Sequence, residues 1–196
     1  FQHAHFQFAL SRVSRQFLWS FLHSHPFYNS EQVSQRYVPV REGEYAVPPL
    51  AGEALAVYRE AAGRMQREYR ELADLLAPVA RGAFFRLFPS RRHQPERWEK
   101  EIRKKAQEVA RYLLPVATFA HLYHTVSAVT LFRYWRLAGL YDAPLEQRLV
   151  VGRMVEEVLA ADPDYAAVLE EPIPLAETPE HAAFARLGRA EGPAPG

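Results

Sequence analysis

The sequence predicts a helix-rich α+β fold. Three stretches carry that expectation. Residues 3 to 10, HAHFQFAL, alternate Phe6, Phe8 and Leu10 with Gln7 and Ala9, the period-two pattern of a half-buried strand. Leu55, Tyr58, Ala62, Met65, Tyr69, Leu72 and Leu76 recur at steps of three and four, which makes one apolar stripe on a long helix. Glu96 to Leu114 repeats that spacing, with Ile102, Ala106, Val109 and Leu113 facing inward.

The remaining elements follow from local chemistry. Ser14 to His25 reads as a short helix with Phe17, Phe21 and Leu22 on one face, ended by Pro26. Phe27 to Val33 is polar and irregular. Ser34 to Val40, SQRYVPV, returns to extended structure, and Pro39 marks an edge or a strand end. Glu42 to Gly52 forms a loop. Pro78 closes or kinks the long helix, and Phe84 to Pro95, which mixes aromatics, arginines and prolines, is a connector. Pro115 stops the next helix. Val116 to Thr125 stays open, its aromatic and β-branched content allowing a strand. Ala128 to Leu137 is helical. Asp142 caps a helix with Pro144 in its first turn, running to about Ala161. Residues 1 to 176 then form one domain, and 177 to 196 a tail or linker containing Pro, Ala and Gly.

Composition narrows the functional classes. The chain has 196 residues, 48% hydrophobic and 24% charged, enough for a sizeable core. Lys+Arg 24 against Asp+Glu 23 leaves no bulk field, so a general polyanion binder is not implied. The absence of cysteine excludes disulfides, thiolate metal sites and a cysteine nucleophile, and is compatible with a cytoplasmic protein. No apolar run approaches the roughly 20 residues of a membrane helix, since Arg15, Arg111 and Arg133 break the longest candidates. The chain opens at Phe1, inside an apolar pattern, and reads as a piece of a longer polypeptide truncated at its N-terminal side.

Three segments carry more specific information. Phe1 to Val38 holds an early Phe-Gln-His and the run Ser34-Gln35-Arg36-Tyr37-Val38. Ala110-Arg111-Tyr112-Leu113-Leu114-Pro115 follows, and then Thr125 to Leu137, TVSAVTLFRYWRL. In this order they resemble the flavin-dependent thymidylate synthase family, the thymidylate synthase complementing proteins. The family's counterparts are Ser-(Gly/Gln)-Arg-Tyr, Ala-Arg-x-x-Leu-Pro and Thr-x-Asn-x-Arg-Ser-Leu-x-x-Phe-x-x-Leu-Arg. The resemblance implies a curved antiparallel sheet with long flanking helices. It implies assembly as a homo-oligomer, dimer or tetramer, or with a second similar domain in the same chain. It also implies methylation of deoxyuridine monophosphate (dUMP) to dTMP, with FAD as cofactor and NADPH and methylenetetrahydrofolate as co-substrates.

By the same resemblance, Gln32, Ser34, Gln35, Arg36 and Arg111 belong to the nucleotide site. A nucleoside monophosphate is a dianion, and guanidinium forks match it bidentately. Ser34 is the catalytic assignment, a hydroxyl that orients and polarises the pyrimidine. The competing reading is two arginines in structural ion pairs and a serine that opens a strand. Flavin is expected near His3, His23 or His25, Ser127 and Arg133.

The sequence departs from the family's pattern on the flavin side. Its Arg-His-Arg triplet falls on Ser24-His25-Pro26 in one register and on His23-Ser24-His25 in another. Histidine is shorter than arginine and mostly neutral at pH 7. The family's Asn falls at Ser127, its first Arg at Val129 and its final Arg at Ala138, with Arg133 and Arg136 as nearby substitutes. Gln2 and Gln32 stand where acidic residues are expected, with Glu31 beside the second. Two functional expectations result: an enzyme with weakened flavin binding, or a non-catalytic assembly domain of a tandem protein.

Other constellations are weaker. His3/His5, His23/His25 and His121/His124 lack a clearly spaced third ligand, so no metal site is expected. Phe84 to His93 combines aromatics with arginines in a way that suits nucleic acid. A packed insertion is the preferred reading, because no wider basic surface accompanies it. The Leu55 to Leu76 stripe reads as core rather than as an oligomer seam.

Overall fold

The computed structural model describes residues 3–23, 28–34, 38, 40–141 and 143–190, the last three without their side chains. The chain divides into two compact units. One comprises Phe1–Leu10, Phe17–Glu31 and Tyr123–Gly196, and the other Ser11–Gln16 and Gln32–Leu122. No helix among the described residues is long and apolar enough to cross a membrane.

Three strands form an antiparallel sheet, β1 (His5–Ser14), β2 (Tyr28–Gln32) and β3 (Phe119–Ser127), in the order β1-β3-β2. The alternation read from Phe6 to Leu10 holds, and β1 continues to Ser14. Arg12 sits in the left-handed region at φ 59°. Its amide meets His121 Nδ1 at 3.4 Å, and its guanidinium lies 4.9 Å above the Phe119 ring. β3 settles the open reading of Val116 to Thr125 in favour of a strand. β2 corrects the irregular reading of Phe27 to Val33. It is an outer strand with a mostly exposed, polar sequence, so backbone pairing with β3 defines it and no apolar period announces it.

In the first unit, α1 (Arg15–His23) buries Phe17 and Phe21 completely. Phe21 lies 5.4 Å from Tyr134 and 4.6 Å from His124, ring to ring. α4 (Ala128–Arg136) packs on α5 (Leu145–Ala161). Gly152 permits this approach: a Cβ there would meet Trp135 Cζ3 at 3.1 Å. Pro144 occupies the cap of α5 rather than its first turn. Asp142, expected to cap it, lies outside the described residues. The segment after Glu177 contains α6 (Pro179–Ala190), which its composition did not announce. Tyr141 contacts Phe184 of that helix at 5.2 Å, edge to face.

In the second unit, α2 (Gly52–Leu87) and α3 (Pro95–Ala110) form an antiparallel hairpin joined by a 3-10 turn, Pro89–His93. Pro78 does not close α2. α2 continues through it while packed on α3, whose contacts offset the missing amide. Phe84 to Leu87 are therefore helix rather than connector. Ile102 and Ala106 are buried as expected, whereas Val109 is 53% exposed and faces away from α2. Tyr69, Ala73 and Ala110 form a cluster against which Leu72, Leu76 and Leu113 pack. The Tyr69 hydroxyl is buried without a hydrogen-bond partner among the described residues. Burial raises its pKa, with Arg103 opposing. The loop before α2 is pinned by Gln66, whose Oε1 accepts from the Gly43 amide at 2.8 Å.

Candidate functional site

In the second unit the charge of one arginine acts on the guanidinium of another. Arg111 sits in a 3-10 turn, Arg111–Leu113, just after α3. Its carbonyl accepts from the Leu114 amide at 3.1 Å. The Pro115 carbonyl then accepts from the amide and hydroxyl of Thr118, at 2.9 and 2.7 Å. The Thr118 carbonyl accepts in turn from the Arg15 amide at 3.0 Å, and Val116 holds the Gln16 amide. This ladder fixes the start of α1 beside the end of α3. Arg15 is half-buried, and its Nη1 donates to Gln32 Oε1 at 3.0 Å.

The electrostatics of this pair are distinctive. Burial first, and the neighbouring Arg111 charge second, hold the Arg15 guanidinium below the usual arginine range. Arg111 bonds through Nε to the Glu108 carbonyl at 3.2 Å and lies 5.4 Å from the Tyr112 ring. Neither arginine makes an ion pair with a carboxylate among the described residues. Some exposed cations elsewhere do take acids: Arg70 binds Glu42 at 2.8 Å and Arg64 binds Glu68 at 2.7 Å. Two adjacent cations without an acid raise each other's energy, and a small dianion relieves both.

Of the expected nucleotide residues, Gln32 and Arg111 thus lie in one unit with Arg15. Arg36 and Gln35 lie outside the described residues. Ser34 is half-buried, and its carbonyl accepts from the Val38 amide at 3.1 Å. The extended structure expected from Ser34 to Val40 is corrected at the described residues Ser34, Val38 and Val40, none of which lies in a strand. A hollow of about 420 Å³ borders this stretch, walled by Val33, Val38, Phe119 and His121, with Arg41 and Glu44 at its edge. Arg15 was missed in the sequence because it looked like one more charge interrupting an apolar run. Its position at a strand-to-helix junction was the available signal.

In the first unit, the expected flavin residues are engaged differently. Ser127 is 8% exposed and caps α4, accepting from the Thr130 amide at 3.2 Å and donating to the Thr130 hydroxyl at 2.9 Å. His23 Nδ1 bonds the Trp19 carbonyl at 2.6 Å, and its ring lies 4.3 Å from Trp19. His3 is exposed, and its carbonyl accepts from His5 Nδ1 at 3.1 Å. His25 lies outside the described residues. Arg133 is exposed and lines a hollow of about 280 Å³ with Val129, Phe132, Arg136, Val168 and Glu170. Arg136 there pairs with Glu170, whereas Arg133 pairs with no acid among the described residues. Ala138 is buried. The donors described here fit a flavin dinucleotide poorly: one free guanidinium, one exposed imidazole and a hydroxyl already spent on a cap.

His124 is fully buried in the same unit and shares a 2.6 Å hydrogen bond with Ser30 Oγ, between the rings of Phe21 and Tyr28. Among the described residues no three His, Cys, Asp or Glu side chains converge as metal ligands.

Comparison with known proteins bears on both units. The family model described as thymidylate synthase complementing protein matches residues 1–164. A flavin-dependent thymidylate synthase of Clostridium tetani (strain Massachusetts / E88) is 29% identical over 168 residues, covering 83% of this chain and 61% of that protein. One from Mycobacterium sp. (strain KMS) is 28% identical over 177 residues, covering 86% and 64%. The chain therefore spans less than two thirds of the length of these relatives. With the family match running through both units, the chain belongs to the thymidylate synthase complementing protein family.

Proposed function

We propose that this domain binds deoxyuridine monophosphate through Arg15 and Arg111, with Gln32 and Ser34 at the pyrimidine side, and does not itself complete methyl transfer. The observation that carries the reading is the acid-free pair of guanidinium groups, one of them depressed in pKa by burial and by the other. A phosphate dianion offers each a charge-assisted, bidentate partner. The loss of fixed cations on the flavin side supports the non-catalytic half of the reading. In this reading the domain shapes a site in an assembly with copies of itself or with a similar domain of the same polypeptide, in the cytoplasm.

The second reading is enzymatic. Its relatives are named flavin-dependent thymidylate synthases. The parent protein would then methylate dUMP with methylenetetrahydrofolate as carbon donor, reduced FAD as hydride carrier and NADPH as reductant. The observation favouring it is Arg133, unpaired in the hollow that also holds Val129, where the family carries arginine.

Calorimetric titration with dUMP and the visible spectrum of the purified protein separate the two. Saturable nucleotide binding with a colourless protein that takes up no added FAD supports the first reading. A yellow protein near one flavin per chain supports the second. Absence of nucleotide binding overturns the assignment of Arg15 and Arg111.

A further inference from the structure

The closed end of the α2–α3 hairpin holds a charge distribution unlike the rest of its length. Toward the open end, cations and acids are matched: Arg103 with Asp74 at 3.1 Å, Lys104 with Glu101 at 2.8 Å, Lys105 with Glu108 at 3.0 Å, and Arg81 with Glu99. Beyond Arg81 the pattern stops. Arg86, Arg91, Arg92 and Arg97 make no ion pair among the described residues. Five arginines, no lysine and one glutamate, Glu96, lie from Arg81 to Trp98 in a chain whose formal net charge is only +1.

Arg91, Arg92 and Arg97 are also held by neighbouring rings or carbonyls. The Arg91 guanidinium lies 4.2 Å from the centroids of both Phe88 and Trp98, and 5.4 Å from Phe84. Arg92 Nε donates to the Phe85 carbonyl at 3.2 Å, and Arg97 lies 5.8 Å from the Trp98 ring. Ring faces fix a guanidinium plane while leaving its N–H edge for an acceptor, so little rotamer freedom remains to be lost on binding. Phe88 and Leu87, 41% and 72% exposed, add apolar surface beside the cations.

We infer that this closed end is a docking surface for single-stranded nucleic acid, with arginines on the phosphodiester backbone and Phe88 as a face for a base. An overall charge count conceals such a surface, because matched pairs elsewhere cancel it. Charge complementarity selects a polyanion. The all-arginine composition, the stacked guanidinium and the exposed ring select phosphates carried with bases. A membrane surface asks for a broader apolar face than Leu87 and Phe88 supply.

The test is fluorescence anisotropy of a labelled oligothymidylate titrated with the whole chain. Binding is expected to weaken with salt, with a log–log slope of about −2 to −3 for four phosphate contacts on a single strand. Arg91→Gln and the more exposed Arg97→Gln should each weaken it at least about fivefold. Arg91→Lys should restore it only in part. Arg153→Gln, on α5, should leave it unchanged. Thermal unfolding verifies that each variant folds, and Arg97→Gln guards against a loosened packing in the Arg91 variants. The inference is overturned by no anisotropy change at about 50 mM salt, or by equal losses in the Arg153 variant. Tighter capture by phosphatidylserine vesicles than by the oligonucleotide also overturns it, as does displacement of the oligonucleotide by dUMP, which would move the contact to Arg15 and Arg111.

Discussion

The two units treat their polar side chains in opposite ways. In the first, several of the polar side chains around the expected flavin residues are engaged locally: Ser127 caps a helix, His23 bonds its own helix's carbonyl, and Arg136 holds Glu170, while Arg133 pairs with no acid among the described residues. In the second, the Arg111 charge acts on Arg15, and neither pairs with an acid among the described residues. Structure alone rarely needs two like charges in proximity, since each costs the other stability. A side chain whose charge is matched within the fold can be explained by the fold, whereas two cations bonded only to neutral acceptors leave their charge for a ligand. That contrast is the ground for proposing a binding site in the second unit.

The largest expected effect tests that contrast directly. Arg15→Ala and Arg111→Ala should each weaken dUMP binding roughly 10- to 100-fold, the range for losing a charge-assisted bond to an anion. The same changes should leave the ligand-free protein at least as stable, because a repulsion is removed. Calorimetry and thermal unfolding read the two arms separately. Lower stability together with unchanged nucleotide affinity would make the pair structural and dissolve the difference between the units.

A second effect, near 1 kcal/mol, lies in the hairpin of the second unit. Tyr69 is 2% exposed and its hydroxyl has no partner among the described residues. Removing an unpaired buried hydroxyl removes its desolvation cost, so Tyr69→Phe should stabilise by about 1 kcal/mol. The pH dependence has a definite sign. Burial raises the phenol's pKa in the folded state. Its contribution is complete below the unfolded value near pH ~10, and is lost as pH climbs through the higher folded value. The variant should therefore flatten the alkaline limb of a stability–pH curve. An unchanged limb assigns alkaline loss to other groups.

What was legible in the sequence follows from which forces set each feature. β1 and α2 bury one face, so their period is written in Phe6, Phe8 and Leu10 and in the Leu55 to Leu76 stripe. β2 buries almost nothing and depends on hydrogen bonds to β3, which no local pattern encodes. The continuation of α2 past Pro78 goes with packing on α3, which lies beyond the intervening turn in sequence and which no local pattern at Pro78 encodes. Motif spacing singled out Gln32 and Arg111 as candidates. Arg15 was not, since its meaning arises only when Thr118 ties the junction before α1 to the turn holding Arg111. Ser127 was legible as a position, but its capping of α4 was not read from the sequence, although a serine that starts a helix is most often its cap.

That last point gives the third prediction. Ser127→Ala should cost about 1 kcal/mol through the lost cap, within the usual range for serine caps. Ser127→Asp should restore most of it, since a carboxylate also accepts from the Thr130 amide and favours a helix start. If Ser127 serves only the helix, neither variant changes the spectrum after FAD is added. Flavin uptake that falls with the alanine and does not return with the aspartate would put the hydroxyl in a ligand site and narrow the contrast.

The smallest stability effect belongs to Arg133. It is exposed and unpaired among the described residues, so Arg133→Gln should shift stability by no more than about 0.5 kcal/mol. Its value lies in the second readout. Arg133 stands one helical turn from Val129 in the same hollow, the place where one cation can take over from another. The reverse change, Val129→Arg, adds the family's missing charge beside it. If the first unit lost flavin through lost cations alone, Val129→Arg should raise FAD binding above that of the unaltered protein, and the Arg133→Gln background should cancel the gain. If Val129→Arg leaves FAD binding unchanged, charge loss is not the barrier. The shape of the hollow, closed on one side by the Arg136–Glu170 pair, then separates this unit from a flavin site.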